Sequence, residues 1–369
     1  MALTSFLKKI HFPKFDFHLA SGSASFVGVD IGSGSVKVVQ LRKEREQAVL
    51  ETYGELKSER YFQKETSAAL SGFLSHRDEN MANLLTDVMR ESNVTSRRAV
   101  FSIPSASSFI TVINFPLIRM DEIEAAIPYE AKRYIPVPTS EVNLDWQVIE
   151  QDETEKRVSV LLAAVPLDVI SKYQRIADTM HLDLEGVEIE SFSSVRSLLY
   201  NDRGVTALIN WGAVVTTVTV VDQRIIRLNH NFSRGSWEIT TALARSLGVS
   251  EERAEAMKKE VGLSERPEER EIADIIIPMA DSLLMDAERV ITSYNRAAKR
   301  KVGKIVLTGG GVGLKGFTDH VARHFGLETA IGNPFQRTVF PEFLQPVLRD
   351  LAPNFGVAVG LALRPIASS

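Results

Sequence analysis

The chain has 369 residues, of which 44% are apolar and 24% are charged, and its net charge is −4 at pH 7. That length is too great for one compact core, so two or more subdomains are expected. The acidic balance argues against a nucleic-acid partner, which a concentrated basic surface would bind. The absence of cysteine excludes disulfides and thiolate sites and fits a reducing cytoplasm. No apolar run reaches about 18 residues, so no membrane-spanning helix is predicted.

Residues 1–25 are predicted to form an N-terminal tail that precedes the globular body. Lys8, Lys9 and Asp16 interrupt its apolar residues, which excludes the sustained apolar core of a secretory signal. Two interpretations of this aromatic and basic stretch stay open. It is either a short amphipathic segment that contacts a membrane surface or partner, or a tail with a few docked residues.

The first predicted elements form a hairpin, in which residues 26–30 and 36–41 are the strands. The tip holds only small residues, namely Gly32, Ser33, Gly34 and Ser35. Such a tip lets backbone N–H groups approach a phosphate, and the two serine hydroxyls can add donors. Asp30, at the end of the first strand, can hold Mg²⁺ through water. The alternative is an ordinary tight hairpin, because glycine-rich turns are common.

Residues 98–180 are predicted to form a compact β-β-α-β-β-α unit. Asp121 and Glu124 have the spacing of a capping box, so a helix is predicted to begin there and to run towards Tyr134. Pro128 is expected to interrupt that helix, and Pro136 and the proline after it to end it.

A second hairpin follows near residue 210, with Asn210, Gly212 and Ala213 at its tip. Its position after a short strand repeats the first hairpin about 180 residues later, which indicates a duplicated fold. Three helices are predicted between residues 236 and 300. A strand at 304–307 then runs into three glycines, Gly309, Gly310 and Gly311. Consecutive glycines indicate a close approach by a ligand or by another backbone, or else a flexible connection.

Two glycine-rich hairpins in tandem halves, followed by a strand, three glycines and a helix, resemble the superfamily of actin, heat-shock chaperones and sugar kinases. More specific motifs resemble the PilM family of type IV pilus assembly proteins, which are relatives of the division protein FtsA. The stretch 27–37 is similar to the opening of that family. The most discriminating likeness is the Phe-Pro at 115–116, the helix that begins at 121 and the Tyr-Ile-Pro at 134–136.

The resemblance implies an α/β, actin-like ATPase fold of two RNase H-like lobes with subdomains 1A, 1C, 2A and 2B. The implied boundaries are 26–98, 179–204 and 340–369 for 1A, 99–178 for 1C, 205–236 and 302–339 for 2A, and 237–301 for 2B. ATP and Mg²⁺ are the implied cofactors. Phosphate binding is assigned to both hairpin tips with Asp30 and Lys37. Adenosine binding is assigned to Glu255, Lys258 and the three glycines. For the Glu/Lys pair, the alternative is a solvated helical face.

The resemblance further implies a cytoplasmic scaffold held at the inner membrane by a PilN-like membrane protein. The N-terminal tail of that partner would bind between 1A and 1C, near Ile127, Glu130 and Tyr134. Self-assembly into a ring, and contacts with other platform proteins and motor ATPases, belong to the same expectation.

Two positions depart from the family pattern and put ATP hydrolysis in doubt. Asn210 stands where a carboxylate is usual, and Gly235 is single where a Gly-Gly pair is usual. Glu190 is a candidate for positioning a water, with an exposed structural carboxylate as the alternative. Three other functions stay open: an active ATPase or kinase of the same fold, an FtsA-like division protein, and a secretion-system relative. The residues after Arg364 lack an amphipathic pattern, which favours the pilus family over FtsA.

Overall fold

The computed structural model describes residues 24–58 and 78–367, so the predictions about the first 23 residues lie outside the described chain. The strands are β1 (Ser25–Ile31), β2 (Ser35–Glu44), β3 (Gln47–Lys57), β4 (Arg98–Ile103), β5 (Phe109–Pro116), β6 (Val142–Asp152), β7 (Arg157–Pro166), β8 (Asp183–Ile189), β9 (Val205–Trp211), β10 (Thr216–Asp222), β11 (Ile225–Phe232), β12 (Lys304–Thr308) and β13 (Glu328–Ile331). The helices are α1 (Asp78–Glu91), α2 (Met120–Ala131), α3 (Leu167–Thr179), α4 (Glu190–Leu198), α5 (Ser236–Leu247), α6 (Glu251–Val261), α7 (Arg270–Ala297), α8 (Phe317–Phe325), α9 (Gln345–Leu351) and α10 (Gly356–Ala367). Within the described ranges, no helix is long and apolar enough to span a membrane.

Two five-stranded sheets share one topology. The first has the order β3-β2-β1-β4-β8 and the second β11-β10-β9-β12-β13. In each, three antiparallel strands are extended by two parallel strands, which pair with the first strand of the hairpin and then with each other. The duplication predicted from the two hairpins is therefore confirmed.

The central strand β1 is buried on both faces, which explains its continuous apolar character. Val27, Val29 and Ile31 belong to the core of the first lobe. On the other face, a Cβ placed on Gly28 would lie 2.1 Å from the carbonyl oxygen of Ala358. Helix α10 therefore packs directly on the backbone of β1. The tips of the two duplicated hairpins meet at one end of the two sheets.

The third sheet has the order β5-β7-β6 and, together with α2, forms its own small core. The predicted boundaries of this subdomain, 99–178, differ from the structure at both ends. Strand β4 pairs in parallel with β1 and β8 in the first sheet, so its residues are buried on both faces there. Helix α3 places Val169, Tyr173 and Ile176 in the core of the first lobe. The separate unit thus lies between these two elements.

Helix α2 also differs from its prediction. It begins at Met120, and the Glu122 carboxylate accepts a hydrogen bond from the backbone N–H of Arg119, 3.1 Å away. Asp121 therefore lies inside the first turn and is not the N-cap. Pro128 lies within the helix rather than interrupting it, and the helix ends at Ala131, before Tyr134.

Candidate functional site

A cleft of about 240 Å³ lies between the two five-stranded sheets. Residues 30–35 of the first hairpin line one side, and Asn210, Gly212 and Ala213 of the second hairpin line the other. The cleft thus brings together the two tips that the sequence places about 180 residues apart. Lys37, Glu190, Glu255, Gly309 and Gly310 complete the predicted residues that line it.

The first tip is a tight turn, in which the N–H of Gly32 donates to the carbonyl oxygen of Ser35 at 3.1 Å. Ser33 is exposed to the cleft. Ser35 is buried, and its hydroxyl donates to the Glu55 carboxylate at 2.6 Å. Of the two serine hydroxyls, only that of Ser33 is therefore directed to solvent rather than to a neighbouring carboxylate.

The second tip rests on the N-terminus of α5. The N–H groups of Ser236 and Trp237 donate to the carbonyl oxygens of Gly212 and Ala213, at 3.0 and 2.9 Å. Gly235, which precedes this helix, has no room for a side chain, because its Cβ would lie 2.2 Å from the carbonyl oxygen of Ala213. This single glycine therefore lets the helix approach the hairpin.

The two tips touch across the cleft. A Cβ on Gly34 would lie 3.0 Å from the Cβ of Ala213 and 4.0 Å from the Trp237 ring. The glycine-rich backbones of both lobes thus meet beside one cleft, where no large side chain separates them.

Two acidic groups stand at the cleft, at the ends of β1 and β8. Asp30 accepts a hydrogen bond from the Ser102 hydroxyl at 3.0 Å, and the Lys37 ammonium is 3.9 Å from its other oxygen. Burial raises the pKa of Asp30, against the opposing effects of Lys37 and Ser102. Burial, together with the charge of Asp30, raises the pKa of Glu190 to about 7. Glu190 accepts from the Ser105 N–H at 2.9 Å and lines the cleft, so it is not an exposed structural carboxylate.

These residues fit a magnesium ion. Mg²⁺ prefers oxygen ligands, commonly one or two carboxylates supplemented by water and substrate phosphates. Asp30 and Glu190 are two such carboxylates, and the Asn210 side chain adds an amide oxygen to the same lining. No cluster of three acidic, histidine or cysteine side chains occurs among the described residues, so phosphates and water would supply the other ligands.

The predicted adenosine residues divide into two groups. Glu255 lines the cleft, whereas the side chain of Lys258 is 3% exposed and lies beneath it. Lys258 donates to Glu255 at 2.6 Å and to Thr240 at 2.8 Å. Burial lowers its pKa, opposed by Glu255. Lys258 therefore holds Glu255 in place, and Lys259, 3.3 Å from the same carboxylate, is the lysine that faces the cleft.

The three glycines also serve different contacts. Gly309 has φ of +91°, and its Cβ would lie 2.5 Å from the Asn210 side-chain oxygen. A Cβ on Gly311 would lie 2.5 Å from the Trp211 ring, and Gly311 does not line the cleft. Gly310 lines the cleft with only Asn354 nearby. Gly309 and Gly311 are thus required by close contacts within the protein, and Gly310 is free to face a ligand.

The three residues predicted to contact the partner peptide differ in their exposure to solvent. Ile127 is 2% exposed and packs in the core of the three-stranded sheet, so its side chain cannot contact a peptide. Glu130 is ion-paired with Arg133 at 3.1 Å. Tyr134 is 46% exposed, and Tyr129, which the prediction omitted, is 72% exposed.

Sequence reasoning missed several residues that line the cleft: Glu55, Lys57, Pro104, Ala106, Ser107, Ser236, Trp237, Asn354, Gly356 and Val357. Most come from loops or from the ends of distant elements, and no local motif marks them. Trp237 is the exception, because it lies just after Gly235, in a turn whose sequence departs from the family pattern.

Two lobes of duplicated topology, with glycine-rich hairpins facing each other over one cleft, define a protein of the actin-like ATPase fold. A family model described as type IV pilus assembly protein PilM matches residues 28–366. The chain therefore belongs to the PilM family of type IV pilus assembly proteins.

Solved structures agree on the fold. A chain of a PilM–PilN type IV pilus biogenesis complex has a TM-score of 0.79 at 21% identity, covering 94% of this chain and 99% of its own. The ethanolamine utilization protein EutJ from Carboxydothermus hydrogenoformans has a TM-score of 0.55 at 15% identity, with 93% and 90% covered. MreB 5 of Spiroplasma citri, bound to AMPPNP, has a TM-score of 0.50 at 11% identity, with 84% and 92% covered.

Proposed function

We propose that this chain is an ATP-binding scaffold of the type IV pilus inner-membrane assembly platform. In this proposal it binds the N-terminal cytoplasmic tail of a PilN-like membrane protein and is held peripherally at the inner membrane by that partner. The observation that carries the proposal is the pair of facing glycine-rich tips in a member of the PilM family. Assembly into a ring, and contacts with other platform proteins and motor ATPases, are further parts of it.

The nucleotide part is supported by the chemistry of the cleft. The glycine-rich backbone of both tips leaves room for phosphates, and Asp30 and Glu190 suit a bound Mg²⁺, which would neutralise phosphate charge. Glu255, held by Lys258, and Gly310 stand at the part of the lining assigned to adenosine. A neighbour of the same fold, MreB 5, is bound to AMPPNP.

The partner part is supported by the similarity to a chain of a PilM–PilN complex and by exposed aromatic residues. Tyr129 and Tyr134 project from α2 and the turn after it, and Met120 at the start of the helix is 51% exposed. Peptide recognition in a groove depends on a few such anchors, so these side chains replace Ile127 as the proposed contacts.

Calorimetric titration tests both parts with the full chain. Mg-ATP and a synthetic PilN-like tail peptide are titrated separately, and then each in the presence of the other. Saturable binding of both supports the scaffold. If neither nucleotide nor peptide binds, the proposal is wrong. A mutual effect on affinity must be equal in both directions, because coupling free energies are reciprocal.

A second candidate function is slow ATP hydrolysis, and the observation that favours it is Glu190. In this candidate Asp30 and the phosphates hold Mg²⁺ without Glu190, whose pKa of about 7 suits it to accept a proton from water at neutral pH. Single-turnover assays should then show a rate that falls about a hundredfold in Glu190→Gln. Equal rates in wild type and variant would exclude Glu190 as the base, and no turnover in the wild type would exclude the activity.

A further inference from the structure

Strand β11, at the edge of the second sheet, presents one row of polar side chains to the first lobe. Asn229 and Asn231 are two residues apart, so they project from the same face of the strand, and Arg227 lies where the register of β10 and β11 shifts by one residue. Each of the three contacts a residue of another lobe or subdomain. The row therefore crosses the boundary between the lobes along its whole length.

Two of these side chains bond to first-lobe residues next to the lining of the cleft. The Ser191 hydroxyl donates to the Asn229 side-chain oxygen at 2.8 Å, and the Asn231 amide donates to the carbonyl oxygen of Ser105 at 2.9 Å. Ser105 also donates its N–H to Glu190 at 2.9 Å. A single loop, at Ser105, is thus shared by β11 and by the acidic group that lines the cleft.

Both asparagines are fixed from their own lobe. Thr219 donates to Asn229 at 2.8 Å, and Thr217 donates to Asn231 at 2.9 Å. Since each threonine lies on β10, which leads directly from the second hairpin tip, a displacement of that tip is passed on to the asparagines.

The other end of the row holds the hairpin between β6 and β7. The Arg227 guanidinium donates to Glu150 at 2.9 Å, from a side chain only 16% exposed. Lys299, just after α7, binds Asp152 at 2.8 Å and Glu155 at 3.2 Å. Three of the four carboxylates of this hairpin, those of Glu150, Asp152 and Glu155, are therefore paired with cations of the second lobe.

We propose that β11 couples occupancy of the cleft to the position of the β6–β7 hairpin. A ligand that binds both tips fixes β10 against the first lobe, and the row on β11 carries that restraint to Glu150. The three-stranded sheet, which shares its core with the helix α2 on which the partner peptide is proposed to bind, thereby senses nucleotide. This coupling rests on the proposed nucleotide binding and adds to it the path by which the two sites communicate.

Hydrogen exchange of the full chain tests the path, with Mg-AMPPNP as the probe. The wild type is compared with a double variant, Arg227→Met and Lys299→Met, which removes the ties at the hairpin and leaves the cleft unchanged. The matched control is Arg42→Met, because Arg42 forms ion pairs with Glu44 and Glu51 in the first lobe, away from this path. Every sample is also titrated by calorimetry, so that binding is measured independently.

In the wild type and in the control, Mg-AMPPNP is expected to slow exchange at residues 150–157 by about fivefold, the lower end of common allosteric coupling. In the double variant, nucleotide binds but the hairpin response falls below about twofold. If the wild-type hairpin does not respond, or the double variant responds equally, the coupling is wrong while nucleotide binding stands. Absence of binding in every calorimetric titration overturns the proposed nucleotide function, and the coupling with it.

Discussion

Replacing Gly235 by alanine should weaken nucleotide binding without touching the ligand. The backbone there is extended, with φ of −144°, so alanine brings no conformational strain of its own. Its Cβ would lie 2.2 Å from the Ala213 carbonyl oxygen and 2.4 Å from the Val214 nitrogen. Relief to an ordinary contact requires a shift of about 1 Å between the second hairpin tip and α5.

The shift has a calculable cost. It would stretch the hydrogen bonds from Ser236 and Trp237, now 3.0 and 2.9 Å, beyond hydrogen-bonding range. Two bonds at about 1 kcal/mol each amount to about 2 kcal/mol. Since the original tip position is needed to bind phosphate, the affinity for Mg-ATP should fall about thirtyfold.

Calorimetric titration of Gly235→Ala with Mg-ATP measures this loss, and a thermal melt verifies that the variant is folded. Gly303→Ala is the matched control, because nothing lies within 4 Å of a Cβ at that position. Affinity within about twofold of wild type in Gly235→Ala would refute the argument that helix contact positions the tip.

Three further predictions concern the cleft and the proposed peptide surface. The pKa of Glu190 is raised to about 7, and Mg²⁺ favours its ionised form. Mg-ATP affinity should therefore fall about tenfold from pH 8 to pH 6, and Glu190→Gln should remove that dependence. Calorimetric titrations at pH 6 and pH 8 measure this change, and equal wild-type affinity at both pH values would contradict the prediction. Lys258→Met should destabilise the fold by about 2 kcal/mol in urea unfolding, because it removes a buried ammonium that donates to Glu255 and Thr240. Lys259→Met, at a site 59% exposed, should leave the midpoint unchanged, and equal effects of the two would be inconsistent with the assigned roles. Tyr134→Ser should lower the affinity for a PilN-like tail peptide about tenfold in fluorescence anisotropy with an unchanged melting temperature, and unchanged affinity would exclude Tyr134 as an anchor.

Local pattern was sufficient for the features that depend on local chemistry. The two hairpins were predictable because a β-branched run, a glycine-rich tip and a second run define both strands and turn within a dozen residues or so. The repeat between them predicted the duplicated topology of the two sheets. Family resemblance then predicted the actin-like fold, since its motifs occur in the right order along the chain.

The tertiary structure decided which side chains face which space. Lys258 and Lys259 are adjacent in a helical Glu/Lys run, and only packing against Thr240 shows that the first is buried and the second faces the cleft. Ile127 reads as a groove residue from its motif, yet it fills the core of the three-stranded sheet. A local sequence pattern specifies the period of a helix but not the neighbour on each face.

A local sequence pattern was equally unable to show the pairing of carboxylates at the cleft or the contacts of the polar residues on β11. The raised pKa of Glu190 depends on burial and on Asp30, which is 160 positions away along the chain and meets it only through pairing of β1, β4 and β8. No local pattern marks Arg227, Asn229 and Asn231 on β11, because their partners lie in three separate segments of the chain. Burial and long-range charge are properties of the assembled chain, so the sequence determined the secondary-structure elements, and the packing of the lobes determined which side chains line the cleft.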